Sequence, residues 1–133
     1  MKLTIHTDGG SRGNPGPSGI GVFITDKSKK VKEISEYIGK ATNNQAEYKA
    51  LIRGLEEAKK LDASEVNVVM DSELIVKQIK QEYKVRDKDL ASLYVKAWNL
   101  IQGFKSYSIK HVLRSKNKKA DDLVNRAIDK EVK

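Results

Sequence analysis

Residues 5–17, IHTDGGSRGNPGP, contain the transition that decides the fold. Up to this point, Leu3 and Ile5 alternate with polar residues, which predicts a β-strand. The alternation ends at Asp8, and glycines and prolines, which favour turns, follow at once. The stretch therefore predicts a strand that ends on an acidic residue. Asp8 is either the first residue of a turn or a carboxylate held at a functional site, and the local pattern leaves both open.

Two more strands are predicted after this turn. Ile20, Val22 and Ile24 alternate with other residues, and a similar alternation covers residues 34–38. The polar residues 27–30 separate them as a turn. Three strands joined by short connections predict an antiparallel meander.

The periodicity then changes from strand to helix. Residues 42–61, TNNQAEYKALIRGLEEAKKL, begin with a capping box of Thr42 and Gln45 and continue with apolar residues at helical spacing. Residues 65–71, EVNVVMD, form an almost continuous apolar run, typical of a central strand buried on both faces. The remaining predicted elements are a helix starting at Ser72, a helix over 89–102, a fifth strand over 106–113 and a closing helix over 117–130. The sequence predicts a single α/β domain over residues 1–133.

The composition restricts the setting and the partners of the chain. The 133 residues include 26 basic and 18 acidic side chains, a net charge of +8. This charge fits either a solvated, lysine-rich surface or a nucleic-acid partner. No segment approaches the ~20 apolar residues of a membrane span, and the N-terminus does not have the pattern of a signal peptide. Because cysteine is absent, disulfides and thiolate metal sites are excluded, and a cytoplasmic location is expected.

Four carboxylates lie where the pattern predicts buried or strand-end positions. Glu47 lies on the apolar face of its predicted helix, and Asp71 ends the buried strand. Asp8 ends the first strand, and Asp121 shares the inner face of the closing helix, whereas Asp122 should face solvent. Each has an ordinary alternative role: a turn residue for Asp8, an N-cap for Asp71 and a favourable helix-dipole interaction for the other two.

A shared site would explain all four positions together. Carboxylates that converge on one pocket repel one another unless divalent cations lie between them, because an unpaired buried charge is costly. Ligands that are all oxygen favour Mg²⁺ or Mn²⁺ over zinc. Two such ions about 4 Å apart catalyse in-line phosphodiester cleavage in many enzymes. A basic surface around an acidic pocket suits a nucleic-acid backbone.

Four segments together resemble the type 1 ribonuclease H (ribonuclease HI) family. They are TDGGSRGNPGPSGIG at 7–21, TNNQAEYKAL at 42–51, MDSELIV at 70–76 and NKKADDLVNRA at 117–127. The resemblance covers essentially the whole chain and implies a ribonuclease H-like fold: a five-stranded mixed sheet, its first three strands antiparallel, flanked by α-helices. It also implies an endonuclease that hydrolyses the RNA strand of RNA–DNA hybrids to 5′-phosphate and 3′-hydroxyl ends. The implied cofactor is two Mg²⁺ ions, with Mn²⁺ as a substitute.

The resemblance also assigns the site residues. The catalytic and metal-binding positions are Asp8, Glu47, Asp71 and Asp121. The candidate substrate contacts are Asn14, Thr42, Asn43, Asn44, Ser72 and Arg114. Short amide and hydroxyl groups at such positions can test for 2′-hydroxyls. Instead of contacting substrate, Asn14 could serve only as a turn residue and Thr42 only as an N-cap. The glycines that follow Asp8 are expected to let the hybrid backbone approach closely.

This chain departs from many family members before its closing helix. No histidine lies between Val112 and Asp121, and the loop is short. Arg114 either stands in for the missing histidine or makes a general phosphate contact. Two other functions remain open: a non-catalytic duplex-binding module, and another nuclease of the superfamily acting on DNA strands or junctions. A monomer without an obligate protein partner is expected.

Overall fold

Five strands form one mixed sheet in the computed structural model, which describes residues 1–132. They are β1 (Lys2–Ser11), β2 (Gly16–Asp26), β3 (Lys29–Ala41), β4 (Glu65–Met70) and β5 (Ser106–His111). The strand order is β3-β2-β1-β4-β5. β2 pairs antiparallel with both β1 and β3, whereas β1–β4 and β4–β5 are parallel. The predicted meander and mixed sheet are therefore confirmed, with β1 at the centre.

The helices begin close to where the sequence predicts them. They are α1 (Asn43–Lys60), α2 (Glu73–Ile79), α3 (Lys88–Gln102) and α4 (Lys118–Glu131), with a 3₁₀ turn at Arg114–Lys116. The predicted capping box is present: the Gln45 N–H donates to the Thr42 hydroxyl at 3.2 Å, and the Thr42 N–H donates to the Gln45 side chain at 2.8 Å. These two bonds satisfy backbone donors that the first turn leaves free, and so they fix the start of α1.

The main core lies between one face of the sheet and α1 and α3. Leu3 and Ile5 of β1 and Leu51 and Leu55 of α1 are fully buried in it. Each such side chain stabilises the fold by roughly 1.5–3 kcal/mol. α4 covers the other face, where Leu123 and its neighbours pack on β2 and β3. The N-terminal ends of α1 and α4 thus reach the same edge of the sheet.

The register of the two central strands places two acids side by side. Thr7 pairs with Met70 in the parallel β1–β4 ladder. Asp8 follows Thr7 directly, and Asp71 follows Met70. The carboxyl ends of parallel strands are where α/β sheets bind ligands. The sheet therefore presents two carboxylates at one edge.

β1 continues beyond the point where the sequence predicts a turn. Gly9 and Gly10 pair with Ile20 and Gly19, and Ser11 pairs with Ser18, so the turn itself is confined to residues 12–15. The prediction that the strand ends at Asp8 was wrong because glycine is tolerated in a strand where another part of the chain approaches closely.

Within residues 1–132, no helix has the length and apolar character that crossing a membrane requires.

Candidate active site

Three of the four candidate acids form a tight cluster at this edge of the sheet. Asp8 comes from β1, Asp71 follows β4, and Glu47 projects from α1. Each offers a carboxylate oxygen, and these oxygens lie within 4.8 Å of one another. Asp8 and Glu47 are only 6% and 4% exposed. Three carboxylates this close, two of them buried, make a suitable ligand set for a hard divalent cation.

The backbone of β1 holds Glu47 in place. The Gly9 N–H donates a hydrogen bond of 2.5 Å to Glu47 Oε1. A Cβ on Gly9 would lie 2.2 Å from the carbonyl carbon and oxygen of Ala46. The bare backbone at Gly9 therefore lets α1 approach β1 closely enough to bring Glu47 beside Asp8.

The glycines after Asp8 have a role within the fold as well as the predicted one. Gly9 makes room for α1, and a Cβ on Gly10 would lie 3.2 Å from the Val124 side chain of α4. Both glycines face other parts of this chain, because two helices converge on the strand at this point. Gly9 and Gly10 also line the cleft, and their predicted role in the close approach of a hybrid backbone stays a prediction.

The clustered carboxyl groups resist ionising together. Burial raises the pKa of Asp8 above its usual range, and the charges of Glu47 and Asp71 raise it further. Burial also raises the pKa of Glu47, with a contribution from Asp71, although the Gly9 N–H opposes it. The pKa of Asp71 is raised mainly by burial. A divalent cation bound between these groups would oppose the shifts, because an opposite charge favours the ionised form.

Asp121 adds a fourth acid to the cleft, and it lies close enough to hydrogen-bond with Asp8. It lies in the first turn of α4 and lines the same cleft as the three clustered acids. Its Oδ1 accepts a hydrogen bond of 3.0 Å from Nη2 of Arg114. Its neighbour Asp122 is exposed, as predicted. The cleft thus holds three acids close together and a fourth that contacts an arginine.

The ordinary alternatives fail for three of the four acids. Asp8 is not a turn residue, because β1 continues past it to Ser11. Asp71 is not an N-cap, because Ser72 caps α2. Glu47 lies in the second turn of α1, beyond the first turn in which the helix dipole acts. A favourable dipole interaction stays available only to Asp121.

Three candidate substrate contacts line the cleft beside the acids. Asn43, Ser72 and Arg114 all face it. Ser72 also accepts a hydrogen bond of 3.4 Å from the Ile75 N–H as the cap of α2. The Arg114 side chain is 74% exposed, so most of its donors are free to meet a ligand. These three groups surround the carboxylates with hydrogen-bonding side chains.

The other three candidates lie at the start of α1 and in the turn before it. Asn14 Oδ1 accepts a hydrogen bond of 3.0 Å from the Asn43 N–H, which ties the β1–β2 turn to α1. The Thr42 hydroxyl is engaged in the capping box. Asn44 is half-buried and, like Asn14 and Thr42, is not among the residues that line the cleft. Asn14 and Thr42 thus hold the start of α1 in place beside the cleft.

Two cleft residues were missed by sequence reasoning. Arg12 and Asn125 line the cleft, and Arg12 Nη1 lies 2.6 Å from Asp129 Oδ1 of α4. Arg12 Nη2 also lies 3.5 Å from Asn125 Oδ1. The spacing of Asn125 and Asp129 on one helix face was visible in the sequence. Their pairing with an arginine at the other end of the chain was not.

Comparison with known proteins gives a consistent assignment. A family model described as reverse transcriptase-like matches residues 6–127. Bifunctional protein Rv2228c of Mycobacterium tuberculosis is 48% identical over 97% of this chain and 36% of its own length. Ribonuclease H of Pseudomonas syringae pv. syringae is 34% identical over 96% of this chain and 92% of its own length.

A solved structure extends the comparison to three dimensions. LC11-RNase H1, isolated from compost by a metagenomic approach, has been solved in complex with an RNA/DNA hybrid. This chain matches it with a TM-score of 0.93 at 47% identity, over 98% of this chain and 99% of the other. The sheet order and the helices on both faces are those of the ribonuclease H-like fold.

The chain belongs to the ribonuclease HI family. It spans little more than a third of the length of Rv2228c, the mycobacterial relative.

Proposed function

We propose that this chain is a divalent-metal-dependent endonuclease that hydrolyses the RNA strand of RNA–DNA hybrids, leaving 5′-phosphate and 3′-hydroxyl ends. The observation that supports this most directly is the cluster of Asp8, Glu47 and Asp71, with oxygens within 4.8 Å of one another. The choice of substrate rests on the hybrid bound in the structure of LC11-RNase H1.

The donor set fits the proposed cofactor. Asp8, Glu47 and Asp71, with Asp121 across the cleft, would hold two Mg²⁺ ions, and Mn²⁺ is the expected substitute because it prefers the same oxygen ligands. When bound, the ions supply the positive charge that activates water and stabilises the leaving 3′ oxygen. Among the described residues, the ion pairs of Arg114 and of the lysines do not include Asp8, Glu47 or Asp71, so the position between these three carboxylates is left to a cation.

The chain's own groups would bind and orient the hybrid. Arg114 is exposed at the cleft beside Asp121, where its planar guanidinium suits a phosphate. Asn43 and Ser72 offer short polar groups that can test for 2′-hydroxyls on one strand. The contact between Asn14 and Asn43 would hold the rim of the cleft for the second strand.

A duplex-binding module without catalysis is the first alternative. Such a protein gains nothing from an acidic cluster beside phosphate, because unpaired buried carboxylates cost stability and repel the backbone. Here Asp8 and Glu47 are buried with no basic partner among the described residues. The cluster therefore favours an enzyme.

A comparison of substrates tests the proposal. End-labelled hybrid, double-stranded RNA and double-stranded DNA are incubated with Mg²⁺, with Mn²⁺ or with a chelator, and the products are sized on a gel. We expect cleavage of the hybrid in its RNA strand only, with either ion and not with the chelator. Binding without cleavage would establish the module instead, and cleavage of DNA would indicate another nuclease of the superfamily.

Salt dependence tests which surface binds. With a net charge of +8, hybrid binding should release counterions, so the Michaelis constant should rise steeply between about 50 and 200 mM salt. The measurement is the slope of log KM against log salt concentration at saturating Mg²⁺. A slope near zero would mean that the basic surface is not the binding surface.

Three other predictions from the sequence are not tested by these observations and stay predictions: a monomeric state, a single domain and a cytoplasmic location.

A further inference from the structure

Buried polar atoms without a hydrogen-bond partner concentrate beside Asp8. Across residues 1–132 these side-chain atoms are His6 Nδ1, Thr7 Oγ1 and Asn117 Oδ1. His6 and Thr7 immediately precede Asp8 on β1, and Asn117 is bonded to Thr7. Because an unpaired buried polar atom is destabilising, such a group requires an explanation. Local rules tend to be broken where function requires it.

Asn117 connects the two sides of the acidic cleft. Its side chain is 1% exposed, and its Nδ2 donates a hydrogen bond of 2.8 Å to the Thr7 carbonyl oxygen. The main-chain carbonyl oxygen of Asn117 accepts a hydrogen bond of 3.1 Å from the Asp121 N–H. One residue is thus bonded both to the neighbour of Asp8 and to Asp121 itself.

The side chain of Asn117 is not used as an ordinary helix cap. Asparagine is among the preferred N-cap residues because its oxygen accepts from the first free N–H groups. Asn117 occupies the N-cap of α4 but makes no side-chain cap bond. Its amide is directed to β1 instead, and its oxygen is left without a partner. The Asn117 side chain therefore links α4 to the central strand β1 instead of stabilising the start of the helix as a cap.

Other links to α4 do not replace this one. The Ser35 hydroxyl donates to the Leu123 carbonyl oxygen at 2.6 Å, which ties the helix to β3 rather than to β1. Arg12 ties the β1–β2 turn to Asp129, but that pair is largely exposed. Asn117 thus provides a buried amide hydrogen bond between β1 and the start of α4.

We propose that Asn117 is a positioning residue whose buried amide fixes the separation of Asp8 and Asp121 and thereby sets the affinity of the acidic cleft for divalent ions. The part of this inference that concerns turnover rests on the proposed function. The part that concerns ion binding is tested without a nucleic acid.

The test compares ion binding by variants of the full chain. Mn²⁺ is titrated calorimetrically into the wild type, Asn117→Ala and Asn117→Ser, and urea unfolding of each variant is followed in parallel. We expect Asn117→Ala to bind Mn²⁺ about 10- to 100-fold more weakly, the range in which loss of a positioning partner usually alters a metal site. Asn117→Ser keeps a short hydroxyl donor, so it should fold more readily and lose less affinity.

Tyr48→Phe is the matched control for stability. Tyr48 is fully buried, and its hydroxyl donates a hydrogen bond of 2.5 Å to Gln78 on α2, away from α4. This variant should lower the unfolding midpoint in urea, as Asn117→Ala does, but leave Mn²⁺ affinity within about twofold of the wild type.

A second measurement separates positioning from substrate binding. In Asn117→Ser the Mg²⁺ concentration for half-maximal cleavage should rise, whereas the KM for hybrid at saturating Mg²⁺ should stay unchanged. If both Asn117 variants bind Mn²⁺ like the wild type, or if Tyr48→Phe weakens binding equally, this inference is overturned and the proposed function stands. If the wild type itself binds no Mn²⁺, both fail.

Discussion

Asp8→Asn is expected to lower hybrid cleavage by at least about 1000-fold while hybrid affinity changes by less than about threefold. Asp8 lies within the acidic cluster and is 6% exposed, so asparagine fits the same space without the charge. Metal ions supply several kcal/mol of charge stabilisation in such reactions, and each 1.36 kcal/mol corresponds to a tenfold change in rate. Removal of one carboxylate of the cluster should therefore lower turnover by this large factor.

Single-turnover cleavage in Mg²⁺ and hybrid binding in chelator are the two measurements. Asp122→Asn makes the same change of charge on an exposed residue next to Asp121, so it is a matched control and should cleave normally. Near-normal turnover by Asp8→Asn would remove Asp8 from the ion site. Loss of hybrid binding by this variant would mean that Asp8 has a structural role instead.

The same substitution should stabilise the protein in the absence of metal ions. The pKa of Asp8 is raised in the fold, so its contribution to stability is greatest below the unfolded pKa of about 4 and is lost as pH rises. At neutral pH the wild type therefore bears the cost of crowded carboxyl groups, which Asp8→Asn relieves. We expect a higher Tm for the metal-free variant, and a smaller increase in Tm when Mg²⁺ is added.

Gly9→Ala is expected to destabilise the fold by about 3 kcal/mol or more, at the upper end of the range for overpacked sites. The added Cβ would lie 2.2 Å from the Ala46 carbonyl group and 2.5 Å from the Glu47 nitrogen. These are backbone atoms of α1, so no flexible side chain can move aside. The helix must shift away from β1, which carries Glu47 out of the cluster, and cleavage should fall with stability.

Gly103→Ala is the control for this substitution. Gly103 ends α3 with a φ of −73°, and a Cβ there would lie 3.3 Å from the nearest atom, the Leu100 carbonyl oxygen. An added methyl group is compatible with that conformation, so the change in unfolding free energy should stay below about 1 kcal/mol. Urea unfolding measures both variants. Equal effects would show that Gly9 does not control the approach of α1.

Local patterns predicted the elements and the acids well. The capping box of Thr42 and Gln45 placed the start of α1, and the apolar run at residues 65–71 identified the central strand β4. Glu47 was identified because a carboxylate on an apolar helix face breaks the pattern, and it is indeed buried. Each of these signals lies within one element, where sequence spacing determines which residues share a face.

Contacts between distant segments could not be predicted in the same way. The sequence shows glycines after Asp8, but not that the backbone of Ala46 fills the space beside Gly9. It shows an asparagine where α4 begins, which favours a cap, but not that the amide reaches Thr7. These contacts depend on how helices cross the sheet, and no local periodicity contains that information.

The order of the elements along the chain has a consequence for synthesis on the ribosome. Asp8, Glu47 and Asp71 are translated before α4, which carries Asp121 and packs on β2 and β3. A growing polypeptide therefore has three of its four acids long before α4 emerges from the exit tunnel. The complete pocket forms only when that helix docks, so the cleavage activity proposed for this chain would be acquired only after α4 has been synthesised.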